Sequence, residues 1–331
     1  MTNAIPTDIT VLKQLIALRL DVNIWSARKK LTPADFGTLD LPPEKLASLG
    51  SKKVCNPEDL RVFTTLKARA ISLLDRHGVR FLGGWALPEN AVKPVSEGLK
   101  AIATDFAAAK ESFLARYDQA IQEWVSTNPG WESLIARSLV GIDTVRARLG
   151  FAWLMFKVVP PKGQAGQSLT EAVNALGGSL FGEAAKAADE AWHKSFAGKT
   201  EITTKALSPI KSLRHKLTGL SFVEPRVTPL VDLIDVTLAA VPDKGPITGT
   251  ALVGLQGLVC LLRDPAAMIE HGQRIIEGQN PNDALLGLPV HPAAGHAPVI
   301  DADNFPDFND DDLPPDLPME PTSTLDSLGL W

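Results

Sequence analysis

The feature that most constrains this chain is an apolar stripe running from Val95 to Trp124. Val95, Leu99, Ile102, Phe106, Ala109, Phe113, Tyr117, Ile121 and Trp124 recur at intervals of three and four, which puts them on one face of an α-helix. The spacing predicts one helix over about Pro94 to Ser126, about 50 Å long at a rise of 1.5 Å per residue. Such a face cannot stay wet, since each large apolar side chain left in water forgoes about 1.5–3 kcal/mol. A partner of matching length is required, from the same chain or a second copy. One lies downstream between Ser168 and about Phe196, where Leu169, Val173, Leu176, Leu180, Ala184, Ala188 and Trp192 form a second stripe. Gly177-Gly178 and Gly182 weaken that helix and leave room for close packing or a kink. The two segments read as a long helical hairpin. Val95, Leu99, Ile102, Phe106, Phe113, Tyr117, Ile121 and Trp124 are its candidate self-association surface.

Three segments carry strand patterns. From Leu18 to Ile24, Leu18, Leu20, Val22 and Ile24 alternate with Arg19, Asp21 and Asn23, the period of a half-buried strand. Val79 to Leu87 is a second strand, interrupted by Gly83-Gly84. The pair reads as a bulge or a close backbone approach, or as a place where a ligand nears the main chain. Leu149 to Val159 reads as a buried third strand ended by Pro160-Pro161. Before the strand at Val79, Asp59 to His77 reads as a helix with Leu60, Phe63, Leu66, Ala70, Leu73 and Leu74 inward, closed by Gly78 as its C-terminal cap. Thr32 is placed to cap a turn beginning at Pro33, and Leu41-Pro42-Pro43-Glu44 leads into a short helix. Shorter helices follow at about Thr204–Leu217, Val227–Ala240, Thr248–Arg263 and Pro265–Glu277. The fold class expected is α+β and mostly α. It combines a long helical hairpin, a small three-stranded antiparallel sheet at its base, and a bundle of shorter helices. Residues 1–200 hold the sheet and hairpin, 201–278 a helical subdomain, and 279–331 a disordered, acidic, Pro-rich tail.

Charge separates the tail from the body. The net charge of −5 comes from 33 basic and 38 acidic residues. Arg274 is the last basic residue, and nine acids lie between Val299 and Trp331. Without them 29 acids face 33 bases, a net of +4 for the body. Phe305, Phe308, Leu313, Leu328, Leu330 and Trp331 are spaced among these acids, a pattern suited to docking on a basic-rimmed partner. A solubilising appendage is the competing reading.

Catalytic patterns are missing from the sequence. Gly198-Lys199-Thr200 resembles the end of a phosphate loop, but His193 stands where the earlier glycine belongs, so a helix end and solvated loop is the simpler reading. His193, His215 and His271 lie on helices without a second ligand at metal spacing. His291 and His296 lie in Pro-rich sequence, and His77 fits a cation at a helix C-terminus. Cys55 and Cys260 lack partners and read as buried small apolar residues. No cofactor or metal site is expected. Basic residues gather at Arg28-Lys29-Lys30, at Lys52-Lys53, and from Lys205 to Lys216, where phosphates of a nucleic acid or the acidic tail itself are candidate ligands. With no signal peptide and no apolar run approaching the ~20 residues of a membrane span, a cytoplasmic chain without a constitutive membrane anchor is expected.

Two blocks carry a likeness. Leu20-Asp21-Val22-Asn23-Ile24-Trp25-Ser26-Ala27-Arg28-Lys29-Lys30-Leu31 and Gly78-Val79-Arg80-Phe81-Leu82-Gly83-Gly84-Trp85-Ala86-Leu87-Pro88 resemble an uncharacterised bacterial family, a domain of unknown function found on conjugative elements and phages. The likeness covers about residues 10 to 200. It implies a neighbouring AAA+ ATPase and a von Willebrand A-domain protein as partners, and transfers no catalytic residue. The function expected is a non-enzymatic structural or assembly protein that forms a homo-oligomer through its helices. A nucleic-acid-binding accessory protein with a self-inhibiting acidic tail is one alternative, and a helical protein that inserts into membranes on a trigger is another.

Overall fold

The sheet that organises the molecule has four strands and two packed faces. The computed structural model describes residues 11–36, 47–159, 167–242 and 244–279. All of them belong to the first of two units, Met1–Leu288. The tail residues Phe305, Phe308, Leu313, Leu328, Leu330 and Trp331 lie outside the described residues, as does the helix expected after Pro43.

In chain order the strands and helices are β1 (Leu15–Asn23), β2 (Arg28–Lys30), β3 (Ser51–Lys53), α1 (Arg61–His77), β4 (Val79–Phe81), β5 (Gly84–Pro88), α2 (Glu89–Ala115), α3 (Tyr117–Ser126), α4 (Glu132–Ala136), α5 (Ile142–Ala147) and β6 (Gly150–Phe156). They continue with α6 (Gln167–Ala191), α7 (Ser208–Leu220), α8 (Val227–Ala239), α9 (Gly249–Leu262) and α10 (Pro265–Ile276). The protein is mostly helical with a small antiparallel sheet. That sheet runs β4-β5-β1-β6, and β2 and β3 form a separate two-stranded ribbon.

The fourth strand comes from the glycine pair, which makes a turn and the expected close backbone approach rather than a bulge. Leu82 and Gly83 both have positive φ, at 48° and 74°, and Phe81 pairs with Gly84 across them. Two consecutive positive φ values make the tight turn whose twist matches a β-hairpin. Gly84 then meets β1 so closely that a Cβ there would sit 2.2 Å from the Leu18 carbonyl oxygen. The expected single strand over Val79–Leu87 is thus a hairpin. Gly78 is the C-terminal cap of α1 as expected, in extended backbone (φ −127°), its N–H donating to the Leu74 carbonyl at 2.8 Å.

Alternation on β1 sends Leu18 into one core while Leu15 enters another. The hairpin does the same, with Trp85 and Leu87 on one side and Val79, Phe81 and Ala86 on the other. The sheet is therefore a wall between two cores. The first core holds α1, α2 and α3, with Phe151, Trp153 and Met155 of β6 packed against it. The second holds α6 to α10. Only one face of β6 is covered, contrary to the buried strand expected. Leu154 remains 67% exposed and Phe156 48%, because the helices of the second core lie over the β4-β5 end of the sheet.

The long helix is broken. α2 ends at Ala115, Arg116 leaves helical geometry (φ −108°, ψ 12°), and α3 restarts at Tyr117. The break brings Phe113 and Tyr117, on either side of it, against Trp25, whose ring lies 6.3 Å from Phe113 and 5.9 Å from Tyr117. The Arg116 guanidinium is held by Asp59, and the Tyr117 hydroxyl donates to the Val140 carbonyl at 3.0 Å. The helical hairpin is corrected with it. α2 packs on α1, whereas α6 packs on α7, α9 and α10 across the sheet. Since α6 shares its core with α7–α10, a boundary near residue 200 would cut that core in two.

Candidate functional site

The expected self-association stripe is interior to one chain. Val95, Leu99, Ile102, Phe106, Phe113, Tyr117 and Ile121 are buried in the first core with Phe63, Leu66 and Trp25. Trp124 is half-buried, its indole N–H donating to the Lys53 carbonyl at 3.3 Å. The apolar demand that the sequence poses is met within the chain by α1, β1 and β6.

Two basic clusters separated by 21 residues of chain do come together. β2 and β3 pair antiparallel with Arg28 opposite Lys53 and Lys29 opposite Lys52. Cations directly opposite one another on a β-ladder repel, at a cost on the scale of about 0.2–1 kcal/mol per pair. One pair is relieved. Asp35, in the turn after Pro33, accepts from Lys52 at 2.5 Å and from the Thr32 N–H at 2.8 Å. The Lys52 bond, followed by that backbone bond, holds the Asp35 carboxyl at about 2. Arg28, Lys29 and Lys53 are exposed and have no carboxylate partner among the described residues. The ribbon is fixed to the first core by Trp124 and by the Val54 N–H, which donates to the Ala27 carbonyl at 2.8 Å.

The third cluster, Lys205 to Lys216, disperses. Arg214 turns to α8, where Asp235 accepts two bonds of 2.7 Å; that pairing raises the guanidinium pKa and lowers the carboxyl. Lys216 goes inward and is 7% exposed. It donates to Glu183 at 2.6 Å and to the Asp75 carbonyl at 2.7 Å. Around it a polar network ties α1, the β4–β5 hairpin, α6 and α7. Trp85 donates its indole N–H to Asp75 at 2.7 Å, and the Arg80 N–H donates to Glu183 at 2.8 Å. The Arg80 guanidinium stacks 4.0 Å from the Trp85 ring.

Above this network lies an open cavity of about 610 Å3 lined by α1, α6 and α7, and a second of about 340 Å3 adjoins it. Arg76 and Ser212 line both. The carboxylates of the larger cavity are each engaged by a cation: Asp75 by Arg80 at 3.1 Å, Glu183 by Lys216, and Glu190 by Lys194 at 3.5 Å. Arg76, Lys186 and Lys211 line the two cavities without an ion-pair partner among the described residues. The sequence reading missed Arg76 and Lys186, which stand singly on two helices 110 positions apart. No local pattern marks them.

Other candidates resolve simply. His77 packs edge-on against His215 at 5.6 Å; burial first, then His215 and Arg76, push its pKa below the usual histidine value, so the helix-end cation expected there is disfavoured. His193 sits on the surface with Nδ1 2.9 Å from the Asp189 carbonyl. His271 is buried with Nδ1 unpartnered, and burial, then Arg274, lower its pKa. His291 and His296 are outside the described residues. Cys55 is buried and its thiol is pushed up to about 11, chiefly by that burial and then by Asp59. Cys260 is exposed, a departure from the buried reading, because it faces away from the Leu252, Leu255 and Val259 side of α9. Gly198 (φ 66°) turns the chain after the π-helical turn Trp192–Phe196, and Gln256 donates to the Lys199 carbonyl at 3.2 Å. Among the described residues no three His, Cys, Asp or Glu side chains form a metal-ligand group. Among them, too, no single helix is long and apolar enough to cross a membrane; only α9 and α10 together, bent by 103°, pass on length and composition.

Fold and surface define a mostly helical α+β protein with cations gathered at a ribbon and at an interhelical cavity. Residues 12–264 match the family described as protein of unknown function (DUF3150), and the chain belongs to that family. The match runs past residue 200 through α7, α8 and α9, consistent with the shared second core. No curated protein and no solved structure matches.

Proposed function

We propose that this chain is a non-enzymatic nucleic-acid-binding accessory protein that grips phosphates with the β2–β3 ribbon. One observation carries the reading: Arg28 faces Lys53 across the ladder, and neither has a carboxylate partner among the described residues. A folded protein gains nothing from that opposition alone, and a phosphate bridging the two cations reverses its sign. Two-stranded ribbons also fit the major groove of a duplex. With three-residue strands, contacts fall on the backbone, so binding is independent of sequence. Fluorescence anisotropy with the full chain and a short duplex tests this. Three to four phosphate contacts give a log–log salt slope of about −3. Lys29→Glu with Lys53→Glu lowers affinity at least tenfold, and a duplex of shuffled sequence binds equally. A flat salt response sinks the reading.

A second reading, the assembly protein that the apolar stripe first led to, is favoured by β6. Gly150 to Phe156 holds no charged residue, and among the described residues its sole strand neighbour is β1. Exposed, uncharged edge strands pair with further strands, and identical strands pair across a two-fold without like charges meeting. The mobile-element or phage setting, the AAA+ ATPase and the von Willebrand A-domain partner implied by the sequence likeness belong to this proposal. Light scattering after size exclusion checks it: a dimer that Leu154→Lys dissociates supports it, and a monomer at high micromolar concentration removes it.

A further inference from the structure

We infer that the paired cavities above the Asp75–Lys216–Glu183 network form a separate site for a small ligand carrying a pyrophosphate group. Three cations without an ion-pair partner among the described residues line these cavities from three elements: Arg76 from α1 in both, Lys186 from α6 in the larger and Lys211 from α7 in the smaller. Their convergence is a product of the fold, because no two of them are near in sequence. The floor beneath is already neutral, each carboxylate engaged by its own cation. The local field is thus set by the three free groups and attracts an anion of matching charge. Hydroxyls of Ser72, Ser195 and Ser212 line the larger cavity, and those of Thr204 and Ser208 the smaller. Cations with hydroxyl donors are the usual partners of phosphate oxygens.

Shape selects the class of ligand. About 610 Å3 lies within the range of about 300–1,000 Å3 that holds small molecules and cofactors; it is too small for a duplex. Arg76 stands where the cavities meet, so one phosphate in each lobe lets its guanidinium bridge both. A single phosphate reaches into only one lobe and leaves Lys186 or Lys211 idle. The rings about the site are already engaged: His215, which lines the smaller cavity, packs edge-on against His77, Trp85 is covered by Arg80, and Trp192 lies under Arg263 at 5.2 Å. Recognition therefore rests on the phosphates rather than on stacking of a base.

The site differs from the ribbon, and the test separates them. Titrate the full chain with inorganic pyrophosphate by calorimetry at low salt, with orthophosphate in parallel. Pyrophosphate should bind at least tenfold more tightly than orthophosphate and raise the unfolding temperature as its concentration rises. Arg76→Gln and Lys211→Ala, both exposed positions, should each weaken it about tenfold. The ribbon double variant, Lys29→Glu with Lys53→Glu, should bind pyrophosphate as the unaltered chain does while losing duplex. No heat and no thermal shift at millimolar pyrophosphate overturns the inference. Equal loss of pyrophosphate and duplex in cleft and ribbon variants also overturns it, by revealing one undifferentiated polyanion surface. Failure of duplex binding alone leaves the cleft result readable, since the two measurements share no residue.

Discussion

The ribbon and the cleft both concentrate positive charge, but they hold it in opposite ways. On the ribbon, neighbours in sequence become neighbours across a ladder, and Lys52 is neutralised by Asp35 while Arg28, Lys29 and Lys53 have no carboxylate partner among the described residues. At the cleft the fold first cancels charge, seating Lys216 between Glu183 and the Asp75 carbonyl, and only then leaves Arg76, Lys186 and Lys211 free above. Altering the ribbon should therefore change binding with little effect on stability. Altering the cleft floor should unfold the junction between the two cores. A buried charge stripped of its partner costs several kcal/mol, whereas exposed charges rarely contribute more than about 1 kcal/mol.

The largest effect expected is at Glu183. Glu183→Leu strands the Lys216 ammonium and removes the acceptor of the Arg80 N–H. Glu183 is itself about a quarter exposed, so a loss of about 2–3 kcal/mol is expected in urea denaturation, toward the low end for breaking a buried pair. Adding Lys216→Met should recover most of it, because an apolar pair of similar volume needs no solvation. If the double variant is as unstable as the sum of the single ones, the network is not a coupled unit and the contrast with the ribbon fails.

How far each region can be read from sequence follows from the same contrast. The ribbon's cations announce themselves as Arg28-Lys29-Lys30 and Lys52-Lys53; only their pairing needs the fold. Arg76 and Lys186 are isolated residues on amphipathic helices and look like any solvated charge. The β1 alternation is legible because its period reports burial directly, whereas β6 misleads: Ala152, Leu154 and Phe156 are apolar yet exposed. Intervals of three and four do mark Val95 to Ile121 as interior. They cannot report the turn at Arg116, because Asp59 and Val140, which help hold it, come from elsewhere in the chain. Gly83-Gly84 showed that the strand was interrupted. Telling hairpin from bulge depended on φ at Leu82, which no residue identity fixes.

Next in size is the ribbon. Lys53→Glu places a carboxylate opposite Arg28, turning repulsion into a cross-strand ion pair. Thermal unfolding should show a gain of a few tenths of a kcal/mol. Duplex affinity should nonetheless fall about tenfold, which is 1.4 kcal/mol of binding. Stability and binding moving in opposite directions is the signature of charge retained for a ligand. A fall in both would mean that Lys53 is structural.

A smaller effect comes from two histidines whose burial favours the neutral ring. His77 and His271 have pKa values below the usual 6.5, so the unfolded chain binds protons that the folded chain resists. Their contribution to stability is complete above about pH 6.5 and declines as pH falls through that value toward the folded pKa. Denaturant midpoints measured from pH 7.5 to 5 should fall. His271→Leu, which also removes the orphaned Nδ1, should flatten the decline, and an unchanged slope would count against His271 as its source.

The finest test concerns Asp35, where the ribbon borrows the cleft's device of an internal counter-ion. Its carboxyl titrates at about 2 against the ordinary 3.8, so the Lys52 clamp is complete above about pH 3.8 and is lost only as pH falls from there toward 2. Ribbon geometry should therefore not vary with pH between 5 and 8, and a change in duplex affinity over that range must arise elsewhere. Asp35→Asn keeps the shape of the side chain and frees the Lys52 charge. The ribbon then carries one more cation on the phosphate-facing element, and the salt slope should steepen by about one contact, or about 0.9. The β2–β3 pairing loosens at the same time, because Lys29 and Lys52 then face each other unrelieved. If the slope is unchanged while affinity drops, Asp35 serves to order the ribbon and Lys52 never reaches a phosphate.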